Sequence, residues 1–308
     1  MRIKDFANAD RFYLTDGGLE TYMIFEKGYD LPLFAAAHLL ESENGRNDLA
    51  TYYERFIEIA RNSGRGFVMD TPTWRSGGAW AEALGKSKED MRQVNTDAVR
   101  FLSAIRRKHE SASLPILING QIGPAGDAYA PDTVLSAQEA FDVHGLQVHA
   151  LGKAGVDTIS ALTFTHAEEA IGIARCAREI DIPINIGFTL ETDGRLPSGQ
   201  SLNDAIAEVD GATDATPFYY MINCAHPDHF KHILYGSEDW MERIGGVRAN
   251  ASRLSHAELD ESETLDDGDP REFGELNAGL LSFLPNIRVL GGCCGTDHRH
   301  VGCIAQHT

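Results

Sequence analysis

The feature that most constrains the fold of this chain is an alternation of short apolar runs with longer stretches of helical periodicity. The runs are rich in Val, Ile, Phe and Tyr, and most end at Gly, Asn, Asp or Thr, as strands commonly do. Eight of them are predicted strands, at residues 12–15, 66–70, 115–119, 157–161, 183–188, 218–223, 244–248 and 287–290.

Helical stretches lie between these runs. The clearest covers residues 49–62 and places four apolar side chains on one face. The same periodicity predicts further helices at residues 88–109, 137–154, 167–179, 202–208, 271–283 and 297–306. Ser136 and Ser201 directly precede two of these helices, and we expect them to be N-caps.

Eight strands alternating with helices over 308 residues predict an α/β fold of the (β/α)8 barrel type, with residues 1–308 forming a single domain. The alternative is an open, doubly wound sheet, which is disfavoured because no Gly-x-Gly-x-x-Gly follows the first strand. An acidic segment, residues 256–269, lies between the seventh strand and the next helix. We expect it to be an exposed loop or a partly disordered insertion.

Charge and composition narrow the possible functions. The net charge is −19, which repels nucleic acid and anionic membranes and favours a small-molecule substrate. The sequence contains neither an apolar run of transmembrane length nor an N-terminal secretory signal. Five irregularly spaced cysteines do not form a disulfide framework. We therefore expect a cytoplasmic protein that binds neither nucleic acid nor membrane, and the sequence leaves its oligomeric state open.

In a (β/α)8 barrel, functional side chains lie at the C-terminal ends of the strands and in the loops that follow. The predicted strand ends in this sequence carry mostly polar and small residues. In chain order they are Asp16-Gly17-Gly18, Asp70-Thr71, residues 119–124, Leu162-Thr163, residues 188–191, Asn223-Cys224, Asn250 and residues 291–296.

Three of the five cysteines lie on this predicted rim. Cys224 follows strand six, and Cys293-Cys294 follow strand eight, so the ends of two nearby strands can bring them together. Three thiolates suit zinc and leave its fourth tetrahedral position open, as in catalytic sites. The alternative is that cysteines serve as small buried hydrophobes, which we expect of Cys176 and Cys303.

These residues resemble motifs of the homocysteine S-methyltransferase family. The most specific is Gly291-Gly292-Cys293-Cys294-Gly295-Thr296, with Ile222-Asn223-Cys224 well upstream. Weaker similarities extend over nearly the whole chain, at residues 16–18, 120–124, 188–190, 193–196 and 250.

The resemblance implies a (β/α)8 barrel that binds one Zn²⁺ through Cys224, Cys293 and Cys294. It also implies transfer of a methyl group to a thiol acceptor, homocysteine, to give methionine. Family donors include S-methylmethionine, S-adenosylmethionine and betaine, and a folate–corrinoid system in larger members. We expect no catalytic residue beyond the metal site. Substrate binding is expected at Asp16, Gly17, Gly18, Asp70, Thr71, Thr163, Glu191, Asn223, Arg248 and Asn250, with the glycine turn offering backbone N–H groups to a carboxylate.

Two positions depart from the family pattern. Members commonly carry Glu-Thr at the end of strand four, where the glutamate binds the substrate ammonium, but here that position is Leu162. Either another acid takes this role, with Asp70 and Glu191 as candidates, or the acceptor is not homocysteine. Arg248 stands where an apolar residue is frequent. It could bind a carboxylate and oppose a cationic donor, or it could be a surface cation paired with the acidic segment.

Other residues leave further alternatives. His226 and Asp228 could support the metal site or act as acid–base groups, but the favoured interpretation places them at the N-terminus of the following helix, where Asp228 complements the helix dipole. His298, His300 and His307 are expected on a solvated terminal helix. The alternative functions are a relative that uses another thiol or demethylates a sulfur compound, and a non-catalytic zinc- or thiol-binding barrel. An unrelated hydrolase is disfavoured because strand one lacks His-x-His.

Overall fold

In the computed structural model, which describes residues 2–7, 11–129, 134–236 and 238–308, parallel strands close into a barrel. Each strand pairs with its neighbours in sequence, and the first also pairs with the last. The strands are β1 Tyr13–Leu14, β2 Gly66–Asp70, β3 Ile116–Ile122, β4 Thr158–Phe164, β5 Ile184–Phe188, β6 Tyr220–Asn223, β7 Ile244–Ala249 and β8 Val289–Gly292. The predicted (β/α)8 barrel is confirmed.

Helices form the outer layer and part of the loops. They are α1 Arg2–Ala7, α2 Leu19–Thr21, α3 Glu43–Asn62, α4 Lys88–His109, α5 Ala137–Ala154, α6 Ala167–Glu179, α7 Leu202–Thr213, α8 Pro227–Phe230, α9 His256–Asp260, α10 Pro270–Leu280 and α11 His298–His307. None of these helices combines the length and the apolarity that crossing a bilayer requires.

The predicted helix faces pack against the barrel. In α3, Tyr53, Phe56 and Ile57 are almost completely buried, as the periodicity predicted. Ser136 and Ser201 are N-caps as expected, and their side chains accept hydrogen bonds from the backbone amides of Glu139 and Asp204. These caps fix where α5 and α7 begin.

Several element ends differ from the prediction. Strands β3 and β4 continue three residues beyond their predicted ends because the parallel pairing continues through Gln121↔Ser160 and, after a register shift, Phe164↔Phe188. Helix α3 begins six residues earlier than predicted because Ser42 caps it. Helix α7 runs on to Thr213, where Asp214 adopts a left-handed conformation that ends it.

The acidic segment begins with structure of its own. Ser255 and Glu258 form a capping box that starts α9, and His256 on this helix is only 3% exposed. The imidazole of His300 is also fully buried, and its Nε2 lies 2.7 Å from the Asp267 carbonyl oxygen. The expectation of a solvated histidine is therefore wrong for His300, because the end of the acidic segment folds over α11.

Candidate metal and thiol site

The three cysteines predicted as metal ligands converge at the C-terminal mouth of the barrel. Cys224 follows β6, and Cys293 and Cys294 follow β8. The Cys224 Sγ lies 3.0 Å from the Cys293 Sγ and 3.7 Å from the Cys294 Sγ, and all three sulfurs lie within 4.8 Å of one another. Within the described ranges, no other group of three or more His, Cys, Asp or Glu side chains has this metal-binding spacing.

This spacing fits a tetrahedral zinc ion. Zinc–sulfur bonds of about 2.3 Å at tetrahedral angles place two sulfurs about 3.8 Å apart. Small movements of the Cys224 and Cys293 side chains would reach that separation from the observed one. Three soft thiolate donors leave a fourth coordination position open to a substrate. The donor set therefore has the chemistry of a catalytic zinc site.

Cys224 is held in an uncommon backbone conformation. Its φ of 57° lies in the left-handed region, which costs free energy for a residue with a side chain. Its backbone amide donates to the Arg248 carbonyl, and its own carbonyl accepts from the Thr189 hydroxyl and from the side-chain amide of Asn250. The same carbonyl oxygen lies 2.9 Å from His256 Nε2. These contacts offset the strain and aim the sulfur into the barrel mouth.

The loop carrying Cys293 and Cys294 packs directly on the predicted glycine turn. A Cβ atom on Gly292 would lie 1.9 Å from the Thr296 Oγ1, and one on Gly18 would lie 2.6 Å from the Cys293 carbonyl oxygen. Only glycine fits at these close approaches. The Gly18 amide donates to the Thr296 carbonyl at 3.0 Å and is therefore not free for a substrate carboxylate in this structure.

Tyr129 completes the thiol cluster and was not predicted from the sequence. Its hydroxyl oxygen lies 3.2 Å from the Cys224 Sγ and 3.5 Å from the Cys294 Sγ. Its ring stacks on His256 with centroids 4.4 Å apart. Hydrogen bonds from Cys224, Cys293 and Tyr129 hold the pKa of the Cys294 thiol well below its usual range. The cluster is therefore arranged to hold a thiolate.

Glu191 and Asn250, both predicted to bind substrate, contact the groups around the cysteines. The Glu191 Oε1 lies 3.0 Å from His256 Nδ1. Burial opposes the charged imidazole, but this carboxylate and the Cys224 carbonyl raise the pKa of His256 overall. Asn250 donates to the Cys224 carbonyl at 3.1 Å and lies 3.4 Å from the Tyr129 hydroxyl.

Arg248 lies inside the barrel rather than on its surface. It is 5% exposed, and its guanidinium forms ion pairs with Asp16, at 2.6 Å, and with Asp70. Its Nε donates to the Gly292 carbonyl, and Asn119 donates to the Asp70 carboxylate at 2.7 Å. The alternative of a surface cation paired with the acidic segment is therefore wrong. Burial raises the pKa of Asp16 to about 7, with Arg248 opposing the shift.

Thr71, Thr163 and Asn223 fix the loops around the site. Thr163 has a φ of 69°, which is unusual for a β-branched residue. The Asn223 side chain accepts from the Thr163 amide and donates to its hydroxyl, each at 2.9 Å. The Thr71 hydroxyl lies 2.6 Å from the Thr73 hydroxyl and accepts from the Gln121 amide. Their observed contacts hold the ends of β2, β4 and β6 in place.

The acid that the family pattern places at the end of β4 is absent here, because that position is Leu162, but another acid, Glu20, lies in the loop after β1. Leu162 is 2% exposed and presents no charge to the site. Glu20 lies on α2, two residues beyond the predicted glycine turn, and is half-buried. Its Oε1 is buried without a hydrogen-bond partner among the described residues. Burial raises the pKa of Glu20 to about 7. Sequence reasoning missed this residue because it read only the strand ends.

The remaining candidate residues lie outside the cysteine cluster and contribute to the structure of helices. His226 caps α8, and its Nδ1 accepts from the Asp228 amide at 3.1 Å, which confirms the favoured interpretation. Cys176 is buried in α6, as expected of a small hydrophobe, whereas Cys303 in α11 is only half-buried.

Comparison with known proteins gives this arrangement a family. The family described as Homocysteine S-methyltransferase matches residues 13–308. The structure is similar to the metallated form of the homocysteine methyltransferase MmuM from Escherichia coli, with a TM-score of 0.75, 19% identity and complete coverage of both chains. The oxidised form of that protein gives a TM-score of 0.76 at 19% identity, and the apo form gives 0.69 at 17% identity, again with complete coverage of both chains. These structural likenesses show the shared barrel. The family match over residues 13–308 shows that the chain belongs to the homocysteine S-methyltransferase family and is a methyltransferase enzyme.

Proposed function

We propose that this protein is a zinc-dependent S-methyltransferase that moves a methyl group from a small donor to the thiol of homocysteine, giving methionine. The observation that carries the proposal is the convergence of the Cys224, Cys293 and Cys294 sulfurs at the barrel mouth. Zinc bound by these residues would supply a Lewis acid that lowers the pKa of a substrate thiol. Family membership supports a thiol as the acceptor.

The chain's own residues prepare the site for this chemistry. The hydrogen bonds to the Cys224 carbonyl fix the orientation of one sulfur, and the glycine contacts fix the loop that carries the other two. The Tyr129 hydroxyl supplies a hydrogen-bond donor beside Cys224 and Cys294. A donor there favours negative charge on sulfur. We assign no general base outside the cysteine cluster.

The proposed donor is a methylated cation, such as S-methylmethionine, S-adenosylmethionine or a betaine-like compound. In the overall reaction the carbon–sulfur or carbon–nitrogen bond of the donor breaks, and its electron pair stays with the departing neutral sulfide or amine. A new carbon–sulfur bond forms to the acceptor, which releases its thiol proton. The net charge of −19 favours the approach of a cation. A reducing, cytoplasmic environment would keep the three cysteines available.

A second candidate is methyl transfer to, or from, another sulfur compound. It is favoured by Leu162, which cannot pair with the ammonium of homocysteine. It is also favoured by Arg248, because its ion pairs already occupy Asp16 and Asp70. A panel of thiols that differ in their charged groups separates this candidate from the first.

The test is turnover by the purified, zinc-loaded protein, with methionine measured by mass spectrometry. Each of the three donors is supplied with homocysteine. We expect turnover with at least one donor, a loss of at least about 100-fold in Cys293→Ser, and near-normal rates in Cys303→Ser, because Cys303 lies outside the cluster. Methylation of other thiols but not homocysteine would favour the second candidate. Absence of turnover with all donors and thiols would contradict both.

A further inference from the structure

An amino-acid thiol brings an ammonium group into the barrel mouth, and burying that cation requires an anionic partner. Among the described residues, four acids lie beside the cysteine cluster or beside the residues that contact it: Asp16, Asp70, Glu191 and Glu20. The contacts of each decide which of them can receive a new cation.

Three of these acids already have partners. Asp16 and Asp70 share the Arg248 guanidinium, and Asp70 also accepts a hydrogen bond from Asn119. Glu191 is 3.0 Å from His256 Nδ1, whereas the other ring nitrogen, Nε2, lies beside the Cys224 carbonyl. An ammonium bound by any of them would have to displace an existing contact.

Glu20 differs from the other three. Its Oε1 is buried but makes no hydrogen bond within the described part of the chain. Two cations act on it electrostatically, and both have other carboxylate partners. Arg248 pairs with the two aspartates, and Arg75 pairs with Asp127 at 3.7 Å while its guanidinium lies over the rings of Trp74 and Trp80. A buried carboxylate oxygen without a partner costs free energy unless a ligand supplies one.

Helix α2 places Glu20 against the thiol cluster. Gly18, at the start of α2, approaches the Cys293 carbonyl so closely that a side chain would not fit. The Thr21 hydroxyl accepts from the Gly295 amide and donates to the Gly18 carbonyl. These contacts bind α2 to the cysteine loop on both sides of Glu20.

We propose that Glu20 binds the ammonium group of the amino-acid thiol that this enzyme methylates. The assignment rests on the proposed function, because it presumes an acceptor that carries an ammonium. Glu20 would take the role that the family gives to a glutamate at the position of Leu162. The acid would then come from α2, in the loop after β1, instead of from the end of β4. A cation at this point would also favour the ionised form of Glu20, reversing the effect of burial.

The experiment compares Glu20→Gln with the matched control Glu26→Gln, which alters an exposed acid in the same stretch of chain. Calorimetry on the zinc-loaded proteins measures the Kd of homocysteine and of 4-mercaptobutanoate, which has the same thiol and carboxylate but no ammonium. We expect Glu20→Gln to raise the Kd of homocysteine by about 10- to 100-fold and to leave that of 4-mercaptobutanoate within about twofold. Glu20→Asp should retain part of the preference, and Glu26→Gln should match the wild type.

The outcomes separate this inference from the proposed function. Equal homocysteine affinity in Glu20→Gln and wild type would overturn the role of Glu20, even if methyl transfer were intact. Tighter binding of 4-mercaptobutanoate than of homocysteine by wild type would overturn it as well. A Glu20-dependent preference for homocysteine in a protein that transfers no methyl group would support the ammonium site and contradict the proposed reaction. Zinc content and thermal unfolding of each variant verify that it is folded.

Discussion

Replacement of Arg248 by methionine tests whether the charged cluster inside the barrel stabilises the fold. Arg248 is 5% exposed, and its two partners, Asp16 and Asp70, are each 2% exposed. Burial opposes the charge on the guanidinium, but the adjacent carboxylates raise the pKa of Arg248 above its usual range. The variant would leave two carboxylates without their cation inside the barrel.

The expected loss is large because one side of a buried ion pair is removed. Such substitutions cost about 3–5 kcal/mol of unfolding free energy. For a chain of this size, that loss corresponds to a decrease in Tm of roughly 5–8 °C. Arg253 provides the control, since it also makes two ion pairs, with Asp228 and Glu272, but its side chain is 48% exposed. Arg253→Met should cost about 1 kcal/mol or less.

The stability lost in Arg248→Met should increase as pH rises. The folded-state pKa of Asp16 is raised to about 7, above its value of about 4 in an unfolded chain. The stability associated with its neutral form is present at low pH and is lost as pH rises through the folded-state pKa. Removal of Arg248 raises that pKa further. The difference between Arg248→Met and wild type should therefore be smaller at pH 5 than at pH 8.

The assay is urea unfolding of wild type, Arg248→Met and Arg253→Met at pH 5, 6.5 and 8, followed by far-ultraviolet circular dichroism at constant zinc concentration. Equal stabilities of the two variants at pH 8 would refute the reasoning, as would a deficit of Arg248→Met that grows on acidification.

Two other predictions concern a side-chain contact and the backbone conformation of exposed residues. Tyr129→Phe removes a hydroxyl that lowers the pKa of Cys294, so alkylation of Cys294 by iodoacetamide in metal-free protein at pH 7 should slow by about 3- to 10-fold, as followed by peptide mass spectrometry; an unchanged rate would contradict the assigned contact. Ala215 is exposed and has a φ of 51°, so Ala215→Gly should stabilise the protein by about 1 kcal/mol. Ala104→Gly, in the exposed interior of α4, should destabilise it by about the same amount, and urea unfolding in which both changes have the same sign would show that backbone conformation does not control these effects.

The barrel and the positions of the cysteines could be predicted from local patterns. Apolar runs mark buried parallel strands, and barrel closure then brings the end of β6 close to that of β8. The Ser-x-x-Glu pattern at Ser255 and Glu258 was also readable as the start of α9, but the acidic composition around it obscured that signal. Strand ends were less predictable, because pairing with a neighbouring strand decides where β3 and β4 stop.

The contacts across the mouth of the barrel could not be predicted. Tyr129 lies well beyond the end of β3, and only the path of its loop brings the hydroxyl to the cysteines. Arg248 was correctly placed on β7, but the sequence does not show that two distant aspartates meet it inside the barrel. Glu20 could not be identified from the sequence for a similar reason, because its proposed role depends on which other acids are already paired.

The central claim is that Cys224, Cys293 and Cys294 bind a zinc ion that accepts the substrate thiol as a further ligand. The most direct test is zinc K-edge X-ray absorption of the reduced protein, with and without homocysteine and no methyl donor, together with zinc stoichiometry. We expect about one zinc per chain, three sulfur neighbours in the free protein and four after homocysteine is added. Failure to bind zinc under reducing conditions, or a sulfur count that homocysteine leaves unchanged, would contradict the account.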